Sequence, residues 1–421
     1  MAFRIALSGL DAASTDLEVT GHNIANASTV GFKESRAEFA DVYANSIGDV
    51  SASVPGRGVR VTRVAQQFGQ GSTEFTSNNL DLAINGEGFF VMHDTDGGIS
   101  YTRAGAFSID RDGYVVNHAN ARLQVFPPVD SSGDLFNTGS TTDLNLPVVS
   151  GSPQATSGIE ASLNLDASET VPAVAFDATS FPPDTSSYNH STATTIYDSQ
   201  GAAHTASMFY RKEADNQWSV YTFLDGDNVT VGGNAFADIQ FDSSGALLTG
   251  AGDVDAVGNV AMDPYVVGGG GTVADIDLTF DYSASTQFGS DFAVNELTQD
   301  GYTSGRLSGV EVDKTGVVFA RFTNGQSEPL GKVAMARFNN TQGLSQTGDT
   351  SWAESFASGD VQLGEAGTSD FGMIQSGALE NSNVDLATQL VNLITAQRNF
   401  QANAQVITTA DAITQSVINL R

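Results

Sequence analysis

Apolar residues at the start of the chain follow a regular beat. Phe3, Ala6, Leu10, Ala13, Leu17, Thr20 and Ile24 are separated by alternating steps of three and four, which places them on one stripe of a helix. Gly9 and Gly21 weaken that helix slightly, and Gly31 stands just past its end. The other end of the chain repeats the pattern. Leu386, Leu390, Leu393, Gln397, Phe400, Ala404 and Ile407 step by four and three, and Val406, Ala410, Ile413, Val417 and Leu420 continue in a slipped phase. Such a slip changes local winding without ending a helix. No Gly or Pro follows Gly377, so one helix can run from Val384 to Arg421, roughly 57 Å at 1.5 Å per residue.

Between the ends the period shortens and turn signals recur. Asn85-Gly86, Asp96-Gly97, Asp112-Gly113 and Asn324-Gly325 each separate short β-branched or aromatic runs, the pattern of hairpins. Ala83–Ile84 and Phe89–Met92 flank the first pair, and Val317–Phe322 and Lys332–Phe338 the last. Further strands are predicted at Thr194–Tyr197, Ala206–Tyr210, Trp218–Phe223 and Ile276–Tyr282. Residues 32–80 are less regular. Phe32 to Ala44 can continue as helix, Val59–Val64 reads as a β run, and an extended connector is expected there.

The polar positions of the C-terminal segment are unusual. Gln389, Asn392, Gln397, Asn399, Gln401, Asn403, Gln405, Gln415 and Asn419 stand where a solvated helix carries charges. Uncharged polar residues all round suit a helix touching several neighbours. The pattern therefore favours packing between molecules over an internal hairpin.

Charge changes the picture further. Lys and Arg number 18 against 49 Asp and Glu, a net charge of −31 over 421 residues. That excludes duplex nucleic acid and anionic lipid as first partners. Of this, residues 147–283 carry 18 acids and 2 bases, whereas residues 384–421 sum to zero. There is no cysteine, which removes disulfides, zinc-thiolate sites and cysteine nucleophiles. No run of apolar residues is long enough to span a membrane. Asp11, Asp16 and Glu18 interrupt the N-terminal apolar positions, so a cleaved signal peptide is not expected.

Candidate chemistry is sparse. His22, His93, His118, His190 and His204 show no i, i+4 pairing, and no nucleophile elbow or phosphate loop occurs. Asp94/Asp96 and Asp225/Asp227 invite a calcium reading. Twelve-residue loops counted from Asp94 and Asp225 end at Gly105 and Phe236, neither of which supplies the bidentate carboxylate such a loop needs. Both read as turn carboxylates. Arg57, Arg60 and Arg63 form the densest basic cluster, read as structural salt bridges rather than a nucleic-acid site. No catalytic residue, metal site or cofactor is expected.

The residues at both ends resemble a known family. "SGLDAASTDLEVTGHNIANASTVGFK" (Ser8–Lys33) is similar to the N-terminal signature of the bacterial flagellar rod and hook axial proteins. Its core is Asn23-Ile24-Ala25-Asn26 followed by Gly31-Phe32-Lys33. "NNLDLAINGEGFFVM" (Asn78–Met92), "YTRAGAFSIDRDGYVVN" (Tyr101–Asn117) and the segment Gly377–Leu420 resemble further family blocks. Within the acidic insertion, "YNHSTATTIYDSQGAAHTASMFY" (Tyr188–Tyr210) resembles the outer domain of hook-type members, and the pattern returns at Gly301–Phe338.

The resemblance implies a multidomain, nested layout. Residues 1–30 and 384–421 would form an inner, coiled-coil-like pair of helices, with 31–72 and 350–383 as connectors. Residues 73–146 and 284–349 would build a middle β-rich domain, and 147–283 an outer β domain inserted in it. It further implies a structural subunit of a curved, flexible tube around an export channel, passing torque from rod to filament. The partners implied are copies of itself, the distal rod protein, the hook cap, the hook–filament junction protein and the flagellar type III export apparatus. Its place would be the flagellar hook at the cell surface.

Phe3, Leu10, Leu17, Asn23, Ile24, Asn26, Leu386, Leu390, Leu393, Phe400, Ile407, Ile413, Val417 and Leu420 are the expected assembly residues, with Gly31, Phe32 and Lys33 in the connector. Isolated seams are marginal, so the ends are expected to order only on assembly. A distal-rod type member, or an acidic secreted adhesin or calcium-binding β protein, are the alternatives.

Overall fold

Both ends of the chain are helical, as the apolar spacing predicts. The computed structural model describes residues 2–42, 56–130, 133–146, 151–267, 273–368 and 370–419. Helix α1 spans Ala2–Ala25 and helix α2 spans Leu386–Asn419, and β-strands dominate the regular structure between them. The fold is mainly β with terminal helices. Asp385 caps α2, its carboxylate accepting the Thr388 backbone N–H at 2.8 Å.

The chain divides into two compact units. The first comprises Met1–Val148, Ser308–Arg321 and Ser327–Arg421; the second comprises Val149–Leu307 and Phe322–Gln326.

In the first unit α1 packs on α2 and on a two-stranded hairpin, β1 (Ser35–Asp41) and β2 (Val59–Gln66). The helices run antiparallel, since Gly9 approaches Asn403 while Asn23 reaches Gln389. That register sets Ala2 level with Ala410, so the last turns of α2 extend past the start of α1.

Two expectations change here. The helices pair within one chain, because each offers the other a stripe of small and apolar residues. The segment after Phe32 is strand rather than helix. Asn26 and Thr29 close a turn, and Gly31 takes a left-handed φ of 70°. The chain therefore leaves α1 extended, burying Ser35 and Ala37 on alternate positions.

The main sheet of this unit is antiparallel. Its strands run in the spatial order Leu307–Val312, Val317–Phe322, Ser327–Arg337, Arg122–Phe126, Phe89–His93, Ile99–Thr102, Ser351–Ala353, Ser345–Gly348. Phe89, Tyr101, Phe338 and Trp352 meet edge-on in its core. Asp96-Gly97, Asp112-Gly113 and Asn324-Gly325 turn true hairpins. Asn85-Gly86 does not. Leu82–Asn85 pairs instead with Met373–Ser376, 288 or more positions away, a partner that local turn chemistry cannot announce.

The second unit packs two sheets around one core. One contains His190–Tyr197, Ala203–Ala214, Gln217–Leu224, Asp227–Val229 and Ala237–Gln240; the other contains Asn259–Ala261, Thr279–Asp281, Gly158–Asn164 and Ala293–Gln299. Ile159 and Leu163 from one sheet join Met208, Tyr210 and Trp218 from the other in a shared apolar cluster.

Many of the acids do structural work in turns. Asp110, Asp198, Asp242, Asp255 and Asp313 each accept backbone N–H groups two and four residues on. In all five the residue at i+3 is a glycine with positive φ. The carboxylate closes the turn that the glycine permits.

Candidate functional site

The site follows from how the terminal helices meet and how they join the β body. In α1, Ala6, Ala13 and Thr20 are buried, with Leu10, Leu17 and Ile24 half-buried between them. Phe3, at the head of the predicted stripe, is 51% exposed. In α2 the packed face is Gln389, Leu393, Ala396, Phe400, Asn403 and Ile407. Of the expected assembly residues, Leu386 and Leu390 are each 50% exposed and Ile413 is 60% exposed, outside this intramolecular face. Small residues decide the contact: a Cβ on Gly9 would stand 2.6 Å from the Asn403 side-chain oxygen, and Ala396 is fully buried. The face turned to α1 shares Leu393, Phe400 and Ile407 with the apolar seam and adds Gln389, Ala396 and Asn403, because close approach favours small residues and amides over Leu. Val417 lies in α2, and Leu420 lies outside the described residues.

At the foot of the pair, amide side chains replace backbone partners. The Asn23 side-chain amide donates to the Ser35 carbonyl at 2.7 Å and accepts the Ser35 N–H at 2.9 Å. Gln389 donates to Glu34 at 2.8 Å. Asn383 accepts the Glu34 N–H and donates to the carbonyls of Gln67 and Gly69. Asn26 holds the last turn by donating to the His22 carbonyl at 3.0 Å.

Behind this lies a buried charge node. Lys33 meets Glu380 at 2.6 Å and donates to the Gly69 carbonyl at 2.8 Å. Arg103 meets the other Glu380 oxygen at 3.2 Å and donates to the Gly86 carbonyl. The backbone N–H of Gly71 also donates to Glu380. Burial pulls the Lys33 ammonium below its ordinary range, and the charge of Glu380 pulls it back only in part. Arg103 is lowered for the same reason. Gly31 fits because a Cβ there would lie 2.4 Å from the Ala104 nitrogen, and Phe32 is buried with its ring 5.4 Å from that of His22.

The sequence reading names Asn23, Gly31 and Lys33, and Gln389 among the uncharged polar positions of the C-terminal helix, but misses Glu380, Arg103 and Asn383. A lone Lys signals that it needs an acid; nothing local says which of 49 acids supplies it.

The other candidate residues are engaged elsewhere. Asp94 accepts from Ser100 at 2.7 Å, and Asp225 holds His204 at 2.6 Å. Arg63 pairs with Glu38 at 2.8 Å, as a structural reading expects. Among the described residues, no group of three or more His, Cys, Asp or Glu side chains is placed to hold a metal, and no helix is long and apolar enough to cross a membrane.

The two-helix hairpin, its connector and the β units correspond to known families along most of the chain. Residues 3–33 match the flagella basal body rod protein, and residues 83–159 the flagellar hook protein FlgE/F/G D1 domain. Residues 164–302 match the flagellar basal body protein FlaE D2 domain, and residues 375–420 the flagellar basal body rod FlgEFG protein C-terminal region. Together these define the class, an axial protein of the bacterial flagellum. The chain is 37% identical to the flagellar hook protein FlgE of Escherichia coli, covering 100% of both chains. It is 33% identical to that of Borreliella burgdorferi, covering 99% of this chain and 98% of the relative. This chain belongs to the flagellar hook protein family. The crystal structure of Helicobacter pylori flagellar hook protein FlgE2 is similar in fold, with a TM-score of 0.52 and 16% identity over 73% of this chain and 100% of that one.

Proposed function

We infer that this protein is a structural subunit of the bacterial flagellar hook. It self-assembles into a curved, flexible tube that carries torque from rod to filament and encloses an export channel. The observation that carries this reading is the apolar surface that α2 leaves uncovered. The internal pair uses one stripe, and Leu386, Leu390, Val391, Ile394, Val406, Ile413 and Ile418 remain exposed on a helix almost free of charge. Large apolar side chains exposed on several sides of a nearly neutral helix are what a packed inner layer uses to join neighbouring copies. Phe3, Leu386, Leu390 and Ile413 then serve contacts between subunits, while Leu10, Leu17, Ile24, Leu393, Phe400 and Ile407 hold the pair together.

The nested layout follows on this reading. The terminal helices, α2 with no net charge, line the inside, the acidic segment 147–283 lies outermost, and its like charges keep neighbouring outer domains from sticking. The subunit leaves the cell through the flagellar type III apparatus without a cleaved signal. It meets the distal rod protein below, the hook cap during growth and the hook–filament junction protein above.

Electron microscopy of the purified, polymerised protein tests this. Curved tubes are expected, and a chain lacking Thr409–Arg421 should form none. Straight tubes would indicate a distal-rod type subunit, and normal tubes from the shortened chain would remove the role assigned to α2.

A further inference from the structure

One aromatic side chain is held out into solvent by a rigid frame. Phe356 is the most exposed large apolar residue among those described, at 106%. It sits between Ser355 and Ala357, whose backbone is pinned. The Ser355 hydroxyl donates to the Gly343 carbonyl at 2.5 Å and accepts the Ala357 N–H at 3.0 Å. The Ser358 hydroxyl donates to the Ser355 carbonyl at 2.7 Å, and Asn340 donates to the Ala357 carbonyl at 2.8 Å. Gly343 lies so close that a Cβ on it would stand 2.3 Å from the Ala357 carbonyl carbon. Scattered apolar residues on a surface are ordinary. An aromatic ring on a frame this fixed is different, since little backbone freedom remains to be lost on binding. Glu354 and Asp360 flank it, both exposed.

The same unit carries the charge complement. Glu38 pairs with Arg63 and Phe39 with Val61, so Thr62 is an extra residue in β2. This bulge brings Arg60 and Arg63, three apart in sequence, to one side of the hairpin with Arg36, Glu38 and Ala40. Arg36 and Arg63 share Glu38. Arg60 is exposed and has no ion-pair partner among the described residues. Three guanidinium groups against one carboxylate make a basic shelf on a chain of net charge −31.

We propose that the Phe356 turn of one copy docks on the Arg60 face of the β1–β2 hairpin of a second copy. The ring stacks on the Arg60 guanidinium, and Glu354 and Asp360 pair with the arginines around it. The two surfaces differ, so the contact is heterologous and repeats along an open helical polymer. The proposal rests on the reading that the chain polymerises with itself.

The test is sedimentation of the purified full chain, with melting of the monomer as a control for folding. Phe356→Ala should raise the critical concentration for assembly about tenfold and leave the monomer melting temperature unchanged. Arg60→Glu and the pair Glu354→Lys/Asp360→Lys should each do the same, and combining the two sets should restore assembly toward the starting value. Wild-type assembly by all the separate variants, or no restoration in the combination, overturns the contact while leaving the polymer reading intact. If the unaltered chain forms no polymer under any salt condition, the polymer reading fails and the contact with it.

Discussion

Lys33 and Glu380 stand 347 positions apart in the chain and meet at 2.6 Å with neither side chain exposed to solvent. One leads out of α1 and the other leads toward α2. A single buried bond thus fastens both helix roots to the same point of the β body, where the Gly31 N–H also donates to the Glu380 carbonyl at 2.8 Å. A buried pair of this kind adds little net stability over an apolar substitute but is costly to break on one side.

Glu380→Ala should therefore be among the most damaging single changes in the first unit. It strands the charges of Lys33 and Arg103 together, and a loss of about 3–5 kcal/mol is expected. Lys33→Met should cost less, because Arg103 still neutralises Glu380. Urea unfolding of the monomer measures both; equal losses would mean that Arg103 does not hold the carboxylate.

Two glycines in the N-terminal segment should respond in opposite directions. Gly31 has a φ of 70° and no room for a methyl group beside Ala104. Gly31→Ala should destabilise by more than about 1 kcal/mol. Gly21 lies within α1 with nothing within 4 Å of its missing Cβ. Gly21→Ala should stabilise by about 0.5–1 kcal/mol through helix propensity. Thermal melts of the two variants, compared with the parent, decide the point.

The two faces of α2 should separate in experiment. Phe400→Ala removes a ring half-buried against α1 and should lower monomer stability by roughly 1–2 kcal/mol, less than a fully buried aromatic. Leu390→Ala should leave the monomer within about 0.5 kcal/mol of the parent and weaken polymer formation. Monomer melting read beside sedimentation of the polymer distinguishes them; a large monomer effect from Leu390→Ala would show that this face is already used within the chain.

The second unit should show a bounded pH range of stability. The His204 ring lies between Asp225 at 2.6 Å and Asp198 at 3.3 Å. Burial draws its pKa down, but the two carboxylates outweigh that and raise it above the ordinary 6.5. The folded state therefore holds the proton more tightly than the unfolded one. This contribution is complete below pH 6.5 and is lost as pH rises through the raised value. Burial pushes Asp198 and Asp225 up, but hydrogen bonds bring both below 3.8. Their contribution is present above pH 3.8 and fades as pH falls through their lowered values. Asp242 and Asp255, fixed by their turns, act in the same direction. Melting temperature against pH should show both limbs, and His204→Gln should remove the decline on the alkaline side.

How much of this was legible depends on how local each cause is. The beat of Phe3 to Ile24 marks α1 because a helix repeats on a fixed period, and each residue carries its own share of that signal. Three Asn-Gly or Asp-Gly pairs mark hairpins because the turn and its two strands lie within a few residues. Asn85-Gly86 reads the same way yet joins no hairpin, since the partner of Leu82–Asn85 comes from Met373–Ser376. The leucines of α2 mark its apolar positions, whereas Gly9, Ala396 and Asn403 set the face it turns to α1, and closeness between two helices is a property of the pair.

The sequence by itself determined the mainly β class, the helical ends, the lack of cysteine chemistry and the uneven charge, all properties of single segments or of composition. It also carried the family signature, because that is written in contiguous blocks at both ends. Only the tertiary structure decided that Glu380 answers Lys33, that Asn23 completes the backbone of Ser35, and that a bulge puts Arg60 beside Arg63. These depend on which distant segments the fold brings together. A residue's hydrogen-bonding need is visible in the sequence; the identity of the group that meets it is settled in space.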